Sequence, residues 1–319
     1  MDSVTKHVSD PFLSVIVCTY NRSAFLDKCL TSLRNQDLPR DRFEVIVVDN
    51  NSTDDTPAVA ATHARACPDM RYVVETQQGL SHARNRGCRE ARGDYLVYND
   101  DDAILPPEYL RMVAKVIREH APEILGGPVY PYCTSRKPHW FRDQYEVKNY
   151  EGRSGFSTTC RVTGVNFIIR KELLERLGMF DPSLGMKGDQ LGLGEEAKVL
   201  DTYRAVTPRE AQKVFYSQEC YVRHHIPPWK MDIPYALRRS FQTGRMKVKM
   251  EAIRRKVTPF YLIDTVARRL SVMARRLGSE IVKKGPAGAD YVTACRTFLF
   301  ILGMATEGLA RLFRGERTP

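Results

Sequence analysis

Much is missing from this 319-residue chain, and each absence narrows the field. Its eight cysteines, at positions 18, 29, 67, 88, 133, 160, 220 and 295, contain no CxxC pair and no compact framework. Zinc knuckles, thioredoxin-like redox motifs and disulfide scaffolds are thereby set aside, and the cysteines read as reduced, mostly structural thiols. The N-terminal MDSVTKHVSDPFLS lacks a charged stretch followed by an apolar one, so no secretory signal is expected. The apolar run TFLFILGMAT, 297–306, is short of the roughly 20 residues a membrane crossing needs and predicts a segment that lies on a surface or docks. No internal repeat or low-complexity tract occurs. No Gly-rich phosphate loop follows the first apolar run, where TYNRSAFL stands instead, which argues against a nucleotide-sugar pyrophosphorylase.

A hydrophobic content of 43% is ample for a folded core. The formal charge of +11 is unevenly placed. Residues 236–319 hold 18 Lys and Arg against 6 Asp and Glu, a net +12, while residues 1–235 are close to balance with 31 against 32. Basicity confined to the tail separates the partner of the tail from whatever binds the core, and it points away from nucleic acid as substrate of the core.

The first half alternates between two patterns. SVIVCTY (14–20), FEVIVVDN (43–50), MRYVVE (70–75) and DYLVYND (94–100) are short β-branched runs that predict core strands. Helical spacing fills 23–35, 54–66 and 81–91 between them. Such alternation predicts an α/β fold with a mostly parallel sheet, in which ligands bind beyond the carboxyl ends of the strands. After Pro106 a helix runs to His120, ILGGPVYP marks the end of another strand, 132–160 reads as irregular, and GVNFIIR followed by KELLERLG predicts a strand and a helix closed by Gly178.

The strand tips carry the polar residues. Asp100, Asp101 and Asp102 come directly off the fourth strand, where mutual repulsion makes three carboxylates costly unless a cation sits among them. Mg²⁺ or Mn²⁺, hard ions that take oxygen ligands, suit that tip; an N-terminal cap for the following helix is the competing reading. Asp49 ends the second strand and either meets a nucleoside or caps the next turn with Asn51 and Ser52. Arg84 and Asn85 stand at a helix start, where a guanidinium can meet a diphosphate or simply face solvent. Glu195 and Glu196, preceded by Gly192 and Gly194, offer a general base or ordinary helix-dipole partners. His224 and His225 offer imidazole to a hard-metal site or to the core.

In order and spacing, SVIVCTYNR, FEVIVVDNNSTDDT, GLSHARNRG, YLVYNDDDAILPPEYL, GVNFIIRKELLERLGMFDPSLG, GLGEEAKVL and VRHHIPPW resemble the family 2 glycosyltransferases of the GT-A fold, over roughly residues 12–230. The resemblance implies a GT-A catalytic domain over 1–235 and a helical extension over 236–319. It implies an inverting, metal-dependent enzyme that moves a sugar from a nucleotide-diphosphate sugar, UDP- or GDP-linked, to an acceptor hydroxyl. Thr19, Asn21, Arg22 and Asp49 are then expected at the nucleoside, Arg84 and Asn85 near ribose and diphosphate, with Asp101 also on the donor side. Asp100 and Asp102 match the outer positions of a DxD motif, Asp102 being the first choice as ligand of Mn²⁺ or Mg²⁺, and His224 joins them. Glu196 is the expected base and Glu195 the fallback, since the family's usual Asp at the second position is a Glu here. A catalytically silent GT-A-like binding or scaffold protein is the alternative.

The tail reads as helices with one apolar face, from Leu237 through Phe260, Ile263, Leu270 and Ile281, flanked by Arg268, Arg269, Arg275, Arg276, Lys283 and Lys284. That pattern fits an anionic membrane surface, with packing on the catalytic domain as the competing reading. The expectation is a cytoplasmic protein, peripheral at the inner membrane face, whose acceptor is a glycan or lipid-linked glycan.

Overall fold

The computed structural model describes residues 11–188, 192, 194–254, 258–284 and 290–314. The N-terminal residues 1–10, which carry most of the leader reading, lie outside the described residues, as do the side chains of Ile253, Lys283 and Lys284. The chain forms two compact units. The first runs to Tyr132 and resumes over Asp143–His225; the second comprises Cys133–Arg142 and the chain from Ile226 onward.

In the first unit the elements follow in the order β1 Leu13–Thr19, α1 Ser23–Arg34, β2 Phe43–Asp49, α2 Thr56–Ala66, β3 Met70–Val74, α3 Leu80–Glu90, β4 Tyr95–Asp100, β5 Ala103–Ile104, α4 Tyr109–His120, β6 Ile124–Gly126, β7 Val129–Tyr132, β8 Gly155–Phe156, β9 Phe167–Arg170, α5 Lys171–Arg176, α6 Glu195–Val206, β10 Val214–Tyr216 and β11 Val222–His225. Eight strands form one sheet in the order β3-β2-β1-β4-β9-β6-β10-β8. Strands β1 to β4 are parallel, and β9 runs antiparallel between β4 and β6. Alternation along the strands explains the layers. Val15, Val17, Val45, Val47 and Val97 point to the side holding Leu26, Leu30 and Leu33 of α1 and Val113 and Ile117 of α4. Ile16, Ile46, Val48, Leu96 and Tyr98 point to the other side, onto Ala83 of α3, Leu173 and Leu174 of α5 and Val199 and Leu200 of α6. Each such aliphatic side chain contributes about 1.5–3 kcal/mol by leaving water.

The predicted strands and helices of the first hundred residues are present, and the stretch 132–160 holds little regular structure, as its weak patterning suggests. Sequence reading misses β5 and β10, which are too short to show a period, and the small sheet β5-β11-β7. That second sheet matters because it carries His224 beside the tip of β4: β11 pairs with β5 through His224 and Ala103, immediately after the Asp triplet.

The second unit is helical, with α7 Ile233–Arg254, α8 Pro259–Lys284 and α9 Tyr291–Arg314. Helices α7 and α9 approach very closely: a Cβ on Gly244 would stand 1.9 Å from the Phe300 carbonyl oxygen, and one on Gly303 would stand 2.0 Å from that of Phe241. Val248, Leu262 and Met304 form the small core between the helices. Arg245 donates to Glu307 at 2.9 Å across the α7–α9 seam. Helices α8 and α9 run antiparallel, Leu262 lying against Gly308 at one end and the Asp290 amide donating to Glu280 at the other.

Both α8 and α9 keep an apolar stripe that is exposed among the described residues. On α8 it runs through Phe260, Ile263, Ala267 and Leu270, with Phe260 86% and Ile263 66% exposed; on α9 it runs through Tyr291, Phe298, Leu302 and Leu309. Spacings of three and four residues put each stripe about a third of a turn from the line where the two helices touch. Because the helices are antiparallel, both stripes open to the same side. The segment Tyr291–Arg311 has a mean hydropathy of 1.3 and is long and apolar enough to cross a membrane by length and composition. The expectation that residues 297–306 are too short therefore does not stand: weakly apolar neighbours on both sides extend the run. A core helix of a soluble protein meets the same length test.

Candidate active site

At the tips of β1 and β4 the Asp triplet is divided between two tasks. Asp101 turns inward, where Thr19 Oγ1 donates to its Oδ2 at 2.8 Å and Arg22 Nη1 to its Oδ1 at 2.8 Å. Burial raises the Asp101 carboxyl to about 7; the Arg22 charge opposes that shift, and the Asp102 charge adds to it. The second nitrogen of the same guanidinium, Nη2, meets Asp102 Oδ2 at 2.8 Å. Arg22 thus spans both carboxylates and offsets the repulsion that makes a triple Asp costly. Arg22, expected from the sequence at a nucleoside, turns its fork to the triplet, where one cation faces two buried carboxylates. Thr19 is likewise engaged.

Asp100, Asp102 and His224 converge. One ligand atom from each lies within 4.8 Å of the others. His224 Nε2 stands 3.1 Å from Asp102 Oδ1, and the backbone N–H of His225 donates to the Asp102 carbonyl oxygen at 2.8 Å, which fixes β11 against the tip. Two carboxylates and one imidazole form a hard donor set. Ligands on opposite sides of one such ion lie about 4–5 Å apart at bond lengths of about 2.0–2.6 Å, so the three residues fit a single Mg²⁺ or Mn²⁺. His225 faces elsewhere: its ring packs 5.1 Å from that of Phe25.

A second cluster lies on the α3 side. Arg84, 3% exposed, donates from Nη1 to Glu195 Oε1 at 2.6 Å and approaches Asp100 at 3.4 Å with Nη2. The Tyr98 and Phe180 rings stand 5.9 and 5.5 Å from the guanidinium carbon. Gly164 makes room for this guanidinium, since a Cβ at that position would stand 2.4 Å from Arg84 Nη2 and push it from its place. Burial, and next the charge of Glu196, push the Glu195 carboxyl up to about 7, with Arg84 pulling the other way. Glu196 is half-buried and accepts one long hydrogen bond, 3.3 Å, from the Gly164 amide. Of the two glutamates, Glu195 is locked and Glu196 is the more available.

Asn85, expected near ribose and diphosphate, lies on α3 with its side-chain amide against the backbone of Phe180. Its Nδ2 donates to the Phe180 carbonyl at 2.8 Å and its Oδ1 accepts the Phe180 amide at 2.9 Å, so both ends of the amide hold the loop after α5. Asp49 is buried between the Tyr72 hydroxyl, 2.6 Å away, and the Ser52 amide, 2.8 Å away. The second of these bonds is the turn-capping role weighed from sequence. Asn21, at φ 51°, accepts the Thr53 amide on its Oδ1 at 2.7 Å and donates its own backbone N–H to Ser52 Oγ at 2.9 Å, tying the loop after β1 to the loop after β2.

Sequence reading passed over Asn50. Its Oδ1 accepts the Gly79 amide at 2.7 Å while Nδ2 donates to the carbonyls of Glu75 and Gln77, so one side chain shapes the whole loop from β3 into α3. The only signal for it was its position beside Asp49.

Comparison with known proteins gives a consistent picture. The family model described as glycosyl transferase family 2 matches residues 14–178, just over half of the chain. The chain is 30% identical over 183 residues to glycosyltransferase AglE of Haloferax volcanii, covering 56% of this chain and 59% of AglE. It is 21% identical over 248 residues to a glucosyl-dolichyl phosphate glucuronosyltransferase of the same organism, covering 76% of this chain and 78% of that one. The chain thus spans less than two thirds of AglE. Among solved structures, the mannosyltransferase PcManGT from Pyrobaculum calidifontis, in complex with GDP-Man and Mn²⁺, superposes with a TM-score of 0.55 at 23% identity, covering 97% of this chain and 77% of that one. TarS 1–349 of S. aureus in complex with UDP gives 0.54 at 17% identity, covering 97% and 93%. Both likenesses bear on the fold, which is GT-A, with a central sheet flanked by helices and helices at the C-terminal end.

Proposed function

The chain belongs to glycosyl transferase family 2, and on that premise we propose that it transfers a sugar, with inversion, from a UDP- or GDP-linked donor to an acceptor hydroxyl. The observation that carries the reading is the convergence of Asp100, Asp102 and His224 at the carboxyl end of the parallel strands, where α/β sheets bind their ligands. PcManGT holding GDP-Man and Mn²⁺, and TarS holding UDP, support the donor class.

In this reading Asp100, Asp102 and His224 hold Mn²⁺ or Mg²⁺, and the ion, when bound, offsets the negative charge that develops on a departing nucleoside diphosphate. Arg22 and Thr19 keep Asp101 and Asp102 from repelling one another and so hold the tip in one conformation. The loops after β1 and β2, joined by Asn21, with Asp49 shaping the second of them through Ser52, form the nucleoside side of the cleft. Arg84 places positive charge next to Asp100 at the diphosphate side. Glu196 takes the proton of the acceptor hydroxyl as its oxygen attacks the anomeric carbon opposite the leaving group. Glu195 is a positioning residue that holds Arg84 and the first turn of α6. Attack from the opposite face gives inversion in a single displacement. The anomeric configuration of the product, followed by NMR as it forms, tests this: the first-formed product has the opposite configuration to the donor, and retention rules the mechanism out.

The shared apolar face of α8 and α9, with Arg268, Arg275 and Arg276 exposed on α8, supports an anionic membrane surface as the second partner. A glycan or lipid-linked glycan presented at the cytoplasmic face is the acceptor class that this placement favours.

A further inference from the structure

The sequence contains two tryptophans, Trp140 and Trp229, and both belong to the second unit, although 88 residues of chain separate them and most of those belong to the first. They mark one neighbourhood. An open cleft of about 570 Å³ is lined by Trp140 and Pro138 from the short segment Cys133–Arg142, and by Asp232, Ile233, Tyr235 and Arg238 from the start of α7. Trp229 stands at its side, its ring 4.9 Å from that of Tyr235 at an interplanar angle of 88°. The volume falls within the range of about 300–1,000 Å³ of ligand sites.

The chemistry of the lining is selective. Aromatic rings offer flat apolar faces that match the C–H faces of a pyranose, and Asp232 and Arg238 add an acceptor and a donor of hydrogen bonds for sugar hydroxyls to the same lining. A flat hydrocarbon ligand would leave both charged groups unpaired, which costs affinity, and a purely ionic ligand would make no use of the rings. The residues assigned above to donor, cation and base all belong to the first unit, so none of them accounts for this cleft.

We propose that the cleft formed by Trp140, Asp232, Tyr235 and Arg238 is a binding site for the saccharide of the acceptor, stacking a sugar ring on the aromatic side chains and holding its hydroxyls with Asp232 and Arg238. This deepens the glycosyltransferase reading and rests on it. The site selects the acceptor and takes no part in donor cleavage.

The test separates the two claims. The full-length protein is applied to an immobilised array of neutral and uronate-containing oligosaccharides of two to six sugars, alongside Trp140→Ala, Tyr235→Ala and the ring-preserving Trp140→Phe. In parallel, hydrolysis of UDP- and GDP-sugars is followed without acceptor. The wild type is expected to bind a subset of the array, with at least a tenfold loss for Trp140→Ala and Tyr235→Ala and a loss of less than threefold for Trp140→Phe. Donor hydrolysis is expected to stay within twofold in all three variants. Because Trp140 and Trp229 are the only indoles, a bound saccharide must also shift the intrinsic tryptophan emission. Array binding by the wild type that both alanine variants retain overturns the assignment, as does absence of any wild-type binding while donor hydrolysis proceeds. Loss of hydrolysis in the wild type itself would instead strike the glycosyltransferase reading.

Discussion

Arg84 and Glu195, 111 residues apart in sequence, are joined at 2.6 Å with both side chains buried. The pair fastens the start of α6 to α3. Glu195 faces the guanidinium, while Glu196, on the next position of the same turn, is half-buried and accepts one long hydrogen bond, from the Gly164 amide at 3.3 Å, which is why the proposed mechanism gives it the proton.

Glu196→Gln is expected to lower kcat by about 10²–10⁴-fold while donor affinity, read by calorimetry with a nucleoside diphosphate, changes little, because the amide keeps the shape and cannot take a proton. Glu195→Gln should change kcat far less, since the amide still faces Arg84 in the neutral form the fold favours, whereas Glu195→Ala, which removes the partner altogether, should show its main effect as lost stability in denaturant unfolding. A kcat loss carried by Glu195→Gln with unchanged stability would exchange the two roles.

The same pair gives a pH signature. Glu195 titrates at about 7 in the folded protein, above the ordinary carboxyl value, so the folded state holds this proton more tightly than the unfolded chain does. Its contribution to stability is therefore complete at acid pH, below the unfolded value, and is lost as pH rises through about 7. Unfolding free energy measured by urea titration at intervals from pH 5 to 8 should fall more steeply with pH in the wild type than in Glu195→Gln. Parallel slopes would show that Glu195 keeps an ordinary carboxyl pKa.

At the triplet, the three aspartates should not be equivalent. Asp102→Ala and His224→Ala are expected to weaken Mn²⁺ binding, read by the paramagnetic resonance of the free ion, by at least about 100-fold. Asp101→Asn should weaken it far less, because Asp101 answers to Thr19 and Arg22. Equal losses at all three positions would mean that Asp101 ligates too.

How much of this was legible beforehand differs by residue. The strands β1 to β4 announced themselves because β-branched runs separated by helical spacing have few other solutions, and their polar tips marked the cleft. The Asp100, Asp102 and His224 set followed from collinear motifs, although His224 is 122 residues from Asp102 and only the β5–β11 pairing brings it there. Local sequence could not reveal the partners of Arg22, Arg84 and Asn85. Whether a guanidinium or amide meets a ligand or a neighbour depends on what the fold places opposite it: Asp101, Glu195 and the backbone of Phe180 lie 79, 111 and 95 residues away. The tail's amphipathic character was visible from sequence, whereas the joining of two apolar stripes into one face came only from the antiparallel packing of α8 on α9.

For that face, the expected outcome is sedimentation with vesicles containing anionic lipid and release as salt is raised, with much weaker binding to neutral vesicles. Phe260→Asp together with Ile263→Asp should reduce vesicle binding at least tenfold while donor hydrolysis stays within twofold. Binding that neither lipid charge nor these substitutions alter would assign the face to protein packing.

Release of nucleoside diphosphate from UDP- and GDP-sugars, measured for the purified full-length chain across a Mn²⁺ titration and after chelation, tests the central claim most directly. The account predicts turnover with one of the two nucleotide classes, lost on chelation, restored by Mn²⁺ or Mg²⁺, and abolished in a folded Asp102→Ala variant. Turnover that survives both chelation and Asp102→Ala, or no release from any donor by the folded wild type at saturating metal, would contradict it.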